Sequence, residues 1–215
     1  MIEFTRQLDM VNLERLAGTP ITIIGAGAVG SFTALALAKM GASDLTVFDP
    51  DSVEPHNLPN QFYRLQDLGK AKVEALGEII RDYAGVEIKA RPEKFGDQPL
   101  SGIVIAAVDG MEERKLIWRQ VRQSIQVMLF IDTRMGSEVA RLYAVNPLTD
   151  GPAYARTLYP SREAIQEPCT RRAISYTALG LAALTCGKVK KFLQNQPFHP
   201  ALAMDFRLGH LMALL

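Results

Sequence analysis

A β-branched run, Ile21-Thr22-Ile23-Ile24, passes directly into Gly25-Ala26-Gly27-Ala28-Val29-Gly30, and an Ala/Leu/Lys stretch in helical spacing follows over 31–40. A strand that turns through three glycines into a helix leaves few folds open. The first glycine permits the turn, the second lets a phosphate approach the backbone, and the third lets helix and strand pack closely. The helix N-terminus behind them favours an anion. Asp49 stands at the end of the next apolar run, nineteen residues after Gly30, where a carboxylate can accept hydrogen bonds from ribose hydroxyls. On these residues alone a dinucleotide such as NAD is the default ligand.

The rest of the chain repeats this alternation. Periodicity predicts strands over 44–48, 86–90, 103–108 and 127–131, with helices over 70–83 and 112–124 between them. Such a β-α-β order specifies an α/β fold of Rossmann type, a doubly wound and mostly parallel sheet with helices on both faces. Beyond Asp132 the rhythm changes. A strand is expected over 138–145. Residues 146–170 hold four prolines and no clear period, which reads as a long, mobile crossover loop of the functional kind. A late helix is expected over 172–193, with Lys188, Lys190 and Lys191 in its last turns, where cations suit the helix dipole. The apolar tail over 196–215 could pack or meet a partner. With 215 residues the chain has the length of one domain, 1–215.

Composition narrows the partners. Lys plus Arg number 24 against 23 Asp plus Glu, so there is no basic excess for bulk nucleic-acid binding. Two cysteines, Cys169 and Cys186, with no C-x-x-C, cannot form a tetrathiolate zinc centre, so no zinc is expected. The first ten residues carry Glu3, Arg6 and Asp9 and so do not read as a secretory signal. The weakly polar stretch over 173–186 falls short of the ~20 residues that span a bilayer. These features predict a cytoplasmic protein without membrane contact.

The segment after Asp49 does not suit a plain NAD domain. It runs Pro50-Asp-Ser-Val-Glu-Pro-His-Asn57-Leu-Pro-Asn60-Gln61-Phe-Tyr-Arg64 before Gly69-Lys70-Ala71-Lys72. Amides and two lysines stand where they could fold over a nucleotide mouth, and lysine is a compact charge suited to phosphate oxygens, which points to a triphosphate. The plainer alternative is that Lys70 and Lys72 are solvated residues at a helix start.

Across the blocks FTRQ, IIGAGAVGS, FDPDSVEPHNLPNQF, GKAKVE, AAVDG and PCTRRAISYTALGLAALTCGKVKKFL, the chain resembles the ThiF/MoeB/HesA superfamily, the adenylation core of ubiquitin-activating-like enzymes. The resemblance implies binding of ATP and Mg2+ and adenylation of the C-terminal carboxylate of a small ubiquitin-like or sulfur-carrier protein. By position, Gly25, Gly27 and Gly30 would line the nucleotide and Asp49 would bind ribose. Asn57 and Gln61 match polar residues of the family loop, Lys72 its phosphate lysine, and Asp109 its magnesium aspartate. A helix cap is the plainer role for Asp109. Arg6 matches an arginine that crosses a homodimer interface to the partner's ATP. Cys169 matches a position where several members carry an acyl- or sulfur-accepting cysteine, and Arg171, Arg172 and a helix N-terminus could lower its thiol pKa. Cys186 reads as a small buried hydrophobe.

Two departures stand against these matches. The family's N-L-x-R-Q reads Asn57-Leu-Pro-Asn60-Gln61, without the arginine, a loss for which Arg64 could substitute. Its D-x-x-D-N block reads Ala106-Ala-Val-Asp109-Gly110, without one acid and the amide. A catalytically weak scaffold subunit of a heteromeric enzyme and an NAD(P)-dependent oxidoreductase are therefore the rival expectations.

Overall fold

In the computed structural model, which describes residues 3–159 and 174–214, eight strands form one sheet in the order β3-β2-β1-β4-β5-β6-β7-β8. The four-residue run of Ile21–Ile24 becomes β1, fully buried and parallel to β2 (Leu45–Phe48) on one side and β4 (Gly102–Ala106) on the other. Burial on both faces explains why these strands read as continuous apolar runs rather than alternating ones. β3 (Lys89–Arg91) is the outer parallel strand, and β5 (Val127–Gly136) closes the parallel half against β4. The chain moves outward from β1 to β3 and then returns to place β4 on the other side of β1. That reversal opens the crevice where α/β sheets bind ligands.

Helix α2 (Ala28–Met40) leaves the glycine turn and ends at Gly41, whose φ of 112° suits a left-handed cap. Helix α3 (Lys72–Ala84) follows the polar loop and α4 (Met111–Gln123) follows β4. On one face α2, α3 and α6 (Ser175–Leu193) pack on Ile23, Val47, Ile105 and Leu142; on the other, Trp118 of α4 packs with Phe48, Phe130 and Tyr154. A short α1 (Leu13–Gly18) precedes β1, capped by the Asn12 side chain.

The boundaries differ from expectation in instructive ways. The third strand lies at 89–91 rather than 86–90, because its pairing with Thr46, Val47 and Phe48 sets the register while Ile88 is left to pack beside Gly77 of α3. Residues 151–155 of the expected loop form a helix, α5 (Gly151–Ala155), started by Pro152 and secured by the buried Tyr154. The strand expected over 138–145 is β6 (Val139–Val145), and it runs antiparallel to β5. The tail packs: β7 (Ala201–Asp205) and β8 (His210–Ala213) extend the sheet antiparallel. The late helix is described from Ser175; residues 160–173, and Cys169 with them, lie outside the described residues.

Candidate nucleotide site

At the carboxyl end of β1 the three glycines do different work. A Cβ on Gly25, whose φ is 101°, would lie 2.4 Å from the Ala107 carbonyl oxygen, and one on Gly30 would lie 1.8 Å from the Gly25 oxygen. Both are therefore fixed by packing, the first against the end of β4 and the second within the turn. A Cβ on Gly27 would meet nothing within 4 Å. Gly27 thus borders open space at the start of α2, where the first helical N–H groups have no intrahelical acceptors. This is the cradle that a phosphate fits.

Asp49 closes one side of it. Its carboxylate is 7% exposed and accepts hydrogen bonds from the Ala26 N–H at 2.7 Å and the Asp51 N–H at 2.9 Å. Burial raises its pKa above the ordinary carboxylate value, against the opposing pull of those N–H groups and of the Lys72 ammonium. Each oxygen still has a free lone-pair direction for a hydroxyl. The Tyr63 hydroxyl donates to the Ala26 carbonyl at 2.6 Å, and burial, with Asp49 beside it, pushes its pKa upward, so it remains a donor.

The polar loop lies over the turn because its backbone is stitched there. The Phe62 N–H donates to Ser31 Oγ at 3.0 Å, and Tyr63 reaches Ala26. Asn57 is buried and holds the loop's own geometry, its side-chain oxygen accepting from the Glu54 N–H at 2.9 Å. The Gln61 side-chain oxygen is buried with no hydrogen-bond partner among the described residues. An unsatisfied buried acceptor in a loop whose next two residues bond to Ser31 and Ala26 fits a ligand donor such as an adenine amine or a ribose hydroxyl. Further along, Val53 N–H and Lys70 O, and Lys72 N–H and Asp51 O, pin the two ends of the loop together at 2.8 Å each.

The two lysines part company. Lys70 turns to Glu78 at 2.6 Å, whereas Lys72 is 7% exposed with its ammonium 2.9 Å from Asp51 Oδ2. Lys72 is therefore no solvated helix-start residue. Arg64 does not replace the missing loop arginine. Its guanidinium is shared among Asp67 at 2.9 Å, Asp82 at 3.0 Å and Glu78 at 3.2 Å, a clasp that fastens the loop to α3. Asp109 sits just beyond β4, exposed, with no hydrogen bond or ion pair to any described residue; Gly110, not Asp109, is the N-cap of α4. A Cβ on Gly110 would lie 1.7 Å from Glu113 Oε2, so the glycine lets a second carboxylate fold back beside Asp109. Among the described residues no three His, Cys, Asp or Glu side chains converge. A magnesium ion is commonly held by one or two carboxylates plus phosphates, and Asp109 fits that donor set.

Arg6 is not brought to this site within one chain. Gln7 beside it donates to the Lys39 carbonyl at 3.3 Å, and the Phe4 ring lies near Gly41. That is the far end of α2, thirteen residues or about 20 Å from the glycine turn at the usual rise. Cys186 is buried at 5% exposure, its thiol pKa pushed up to about 12 by burial, in keeping with an inert core residue.

A buried charge network beside the crevice was not anticipated. Asp132, fully buried on β5, accepts from Arg114 Nη1 at 2.6 Å, Arg134 Nε at 2.7 Å and the Tyr154 hydroxyl at 2.9 Å. Arg134 also donates to the Thr157 carbonyl and hydroxyl at 2.9 Å each, and Arg114 donates to the Val108 carbonyl. Its charged and hydroxyl members are spread over three elements, α4, β5 and α5, so the one legible signal is Asp132 itself, an acid at the end of an apolar run.

Known proteins share the family and the fold. A family model described as "ThiF family" matches residues 3–206. The NEDD8-activating enzyme E1 catalytic subunit of Arabidopsis thaliana is 35% identical over 104 residues, covering 45% of this chain and 23% of that protein. Ubiquitin-like modifier-activating enzyme 5 of Drosophila persimilis is 41% identical over 126 residues, covering 49% and 33%. The matches thus span about a quarter to a third of these relatives. Among solved structures, E. coli MccB with ATP superposes with a TM-score of 0.72 at 16% identity, covering 94% of this chain and 65% of that one. PaaA superposes with 0.72 at 20% identity, covering 93% and 64%. At such identities the likeness establishes the fold.

Proposed function

The chain belongs to the ThiF family, and from that premise we propose that it binds ATP at the glycine turn and adenylates the C-terminal carboxylate of a small ubiquitin-like or sulfur-carrier protein. The observation that carries this reading is the open space at Gly27 with the buried Asp49 carboxylate bonded to the adjacent Ala26 N–H and the buried Lys72 ammonium near enough to act on that carboxylate, which supports a ribose acceptor and a phosphate cation at one site. ATP-bound MccB shares the fold, and the relatives' names concern activation of ubiquitin-like proteins.

In the reaction a carboxylate oxygen of the donor bonds to the α-phosphorus as the α–β anhydride breaks and pyrophosphate leaves. No strong base is needed; cations and alignment do the work. The α2 N-terminus and Lys72 stabilise the phosphates, Asp49 fixes the ribose and Gln61 orients the nucleotide. Magnesium on Asp109 would neutralise charge on the departing pyrophosphate. Arg6, remote from its own site, would serve a second copy in a homodimer. The Cys169 thiolate would then attack the acyl carbon and expel AMP. The commitment of Arg64 to carboxylates leaves the loop one phosphate-facing charge short, which favours as second reading a weak subunit completed by a partner chain.

Exchange of label between pyrophosphate and ATP, driven by a small protein ending in Gly-Gly, tests the proposal. Exchange is expected in the wild type and should fall at least ~100-fold in Asp109→Ala. Full exchange in that variant, or none in the wild type, overturns it; exchange restored only by a second chain supports the weak-subunit reading.

A further inference from the structure

We infer that Arg114 is a positioning residue for Asp109, fixing the carboxylate against the glycine turn; the inference rests on the proposed function. The end of β4 is where the two halves of the site meet. The Ala106 carbonyl accepts from Thr133 Oγ1 at 3.0 Å, the Ala107 N–H donates to the Ile24 carbonyl at 2.8 Å, and Gly25 lies directly against Ala107 O. One residue later no ladder partner remains, and the Val108 carbonyl is held instead by Arg114 Nη2. Asp109 follows at once. Its direction is therefore set by a side chain reaching back from the first turn of α4.

Arg114 can do this because its other arm is locked. It is 5% exposed, and Nη1 donates to Asp132, which stands in register with Ala106 on the neighbouring strand. A planar guanidinium with one arm on a buried carboxylate presents the second at a fixed place, which a flexible ammonium cannot reproduce. Arg134 and Tyr154 also donate to Asp132, so the carboxylate keeps two partners that do not depend on Arg114. The role is the one outer-shell groups play for metal ligands generally.

The test uses the full chain and two variants, Arg114→Met and Arg114→Lys, with the melting temperature recorded for each. Mn2+ is titrated into protein with saturating ATP and followed by electron paramagnetic resonance, and ATP affinity without metal is measured by calorimetry. In Arg114→Met the metal concentration at half-saturation should rise roughly tenfold, while metal-free ATP affinity is unchanged; Arg114→Lys, able to reach one acceptor at a time, should show a smaller rise and serves alone if the Met variant does not fold. An unchanged metal midpoint in the folded variants, or a parallel loss of metal-free ATP binding, overturns the inference alone. A wild type that binds no metal with ATP overturns it together with the proposed function.

Discussion

Asp49 and Asp67 flank the same polar loop, both nearly inaccessible, and their environments push them in opposite directions. At Asp67 burial by itself would raise the pKa, but hydrogen bonds from the Arg64 side chain and N–H, with Lys70 3.7 Å away, outweigh it and hold the carboxyl below its ordinary value. At Asp49 burial prevails over two backbone N–H groups and Lys72, so the carboxyl sits above its ordinary value. The Asp67 end has every charge answered from within the chain. The Asp49 end leaves its ionised form under-compensated and faces open space at Gly27. The first arrangement is a fastening; the second is what a site needs before a ligand supplies the missing partners.

Breaking the fastening should have the largest effect. Arg64→Gln leaves a fully buried carboxylate with only the backbone N–H of residue 64 and Lys70 to answer it and should cost about 2–3 kcal/mol, read as a fall in the urea midpoint at constant m-value. The acid limb of stability sharpens the same contrast. Asp67, with its folded pKa below the unfolded one, contributes stability above the unfolded value that is lost as pH falls through the folded value. Asp49 has the reverse sign: its folded pKa lies above the unfolded one, so stability falls as pH rises through that range. Arg64→Gln should therefore flatten the loss of stability on acidification, and an unaltered acid limb would show that Asp67 is not held by the clasp. The smallest stability change belongs to Lys72→Met, under ~1 kcal/mol, because its partner Asp51 is 65% exposed. Its effect falls on ligand affinity instead.

The parallel half and its turn were legible because their signals are local. A β-branched run ending at glycine, a helical spacing behind it and an acid at the next strand end need no knowledge of distant contacts, and β1, α2, β2 and Asp49 stand where the pattern places them. The antiparallel half depends on partners far along the chain. β7 forms where Leu202 and Met204 meet Leu142 and Ala140 of β6, sixty residues earlier, which no local period records, and β8 then pairs on β7. The same holds for the Arg114, Asp132, Arg134 and Tyr154 network and for the fate of Arg64, whose charge looked available for phosphate until α3 supplied Glu78 and Asp82. Polar side chains declare their type in the sequence; which polar partner they spend it on is settled by packing.

The central claim is that the glycine turn, Asp49 and Lys72 hold a nucleoside triphosphate and not a nicotinamide dinucleotide. Calorimetric titration of the wild type and of Lys72→Met with MgATP and, separately, with NADH tests it most directly. Saturable MgATP binding that weakens at least ~tenfold in Lys72→Met, or by about 1.4 kcal/mol, with no NADH binding by either protein, is the predicted result; NADH binding by the wild type, or MgATP affinity indifferent to Lys72, would contradict it.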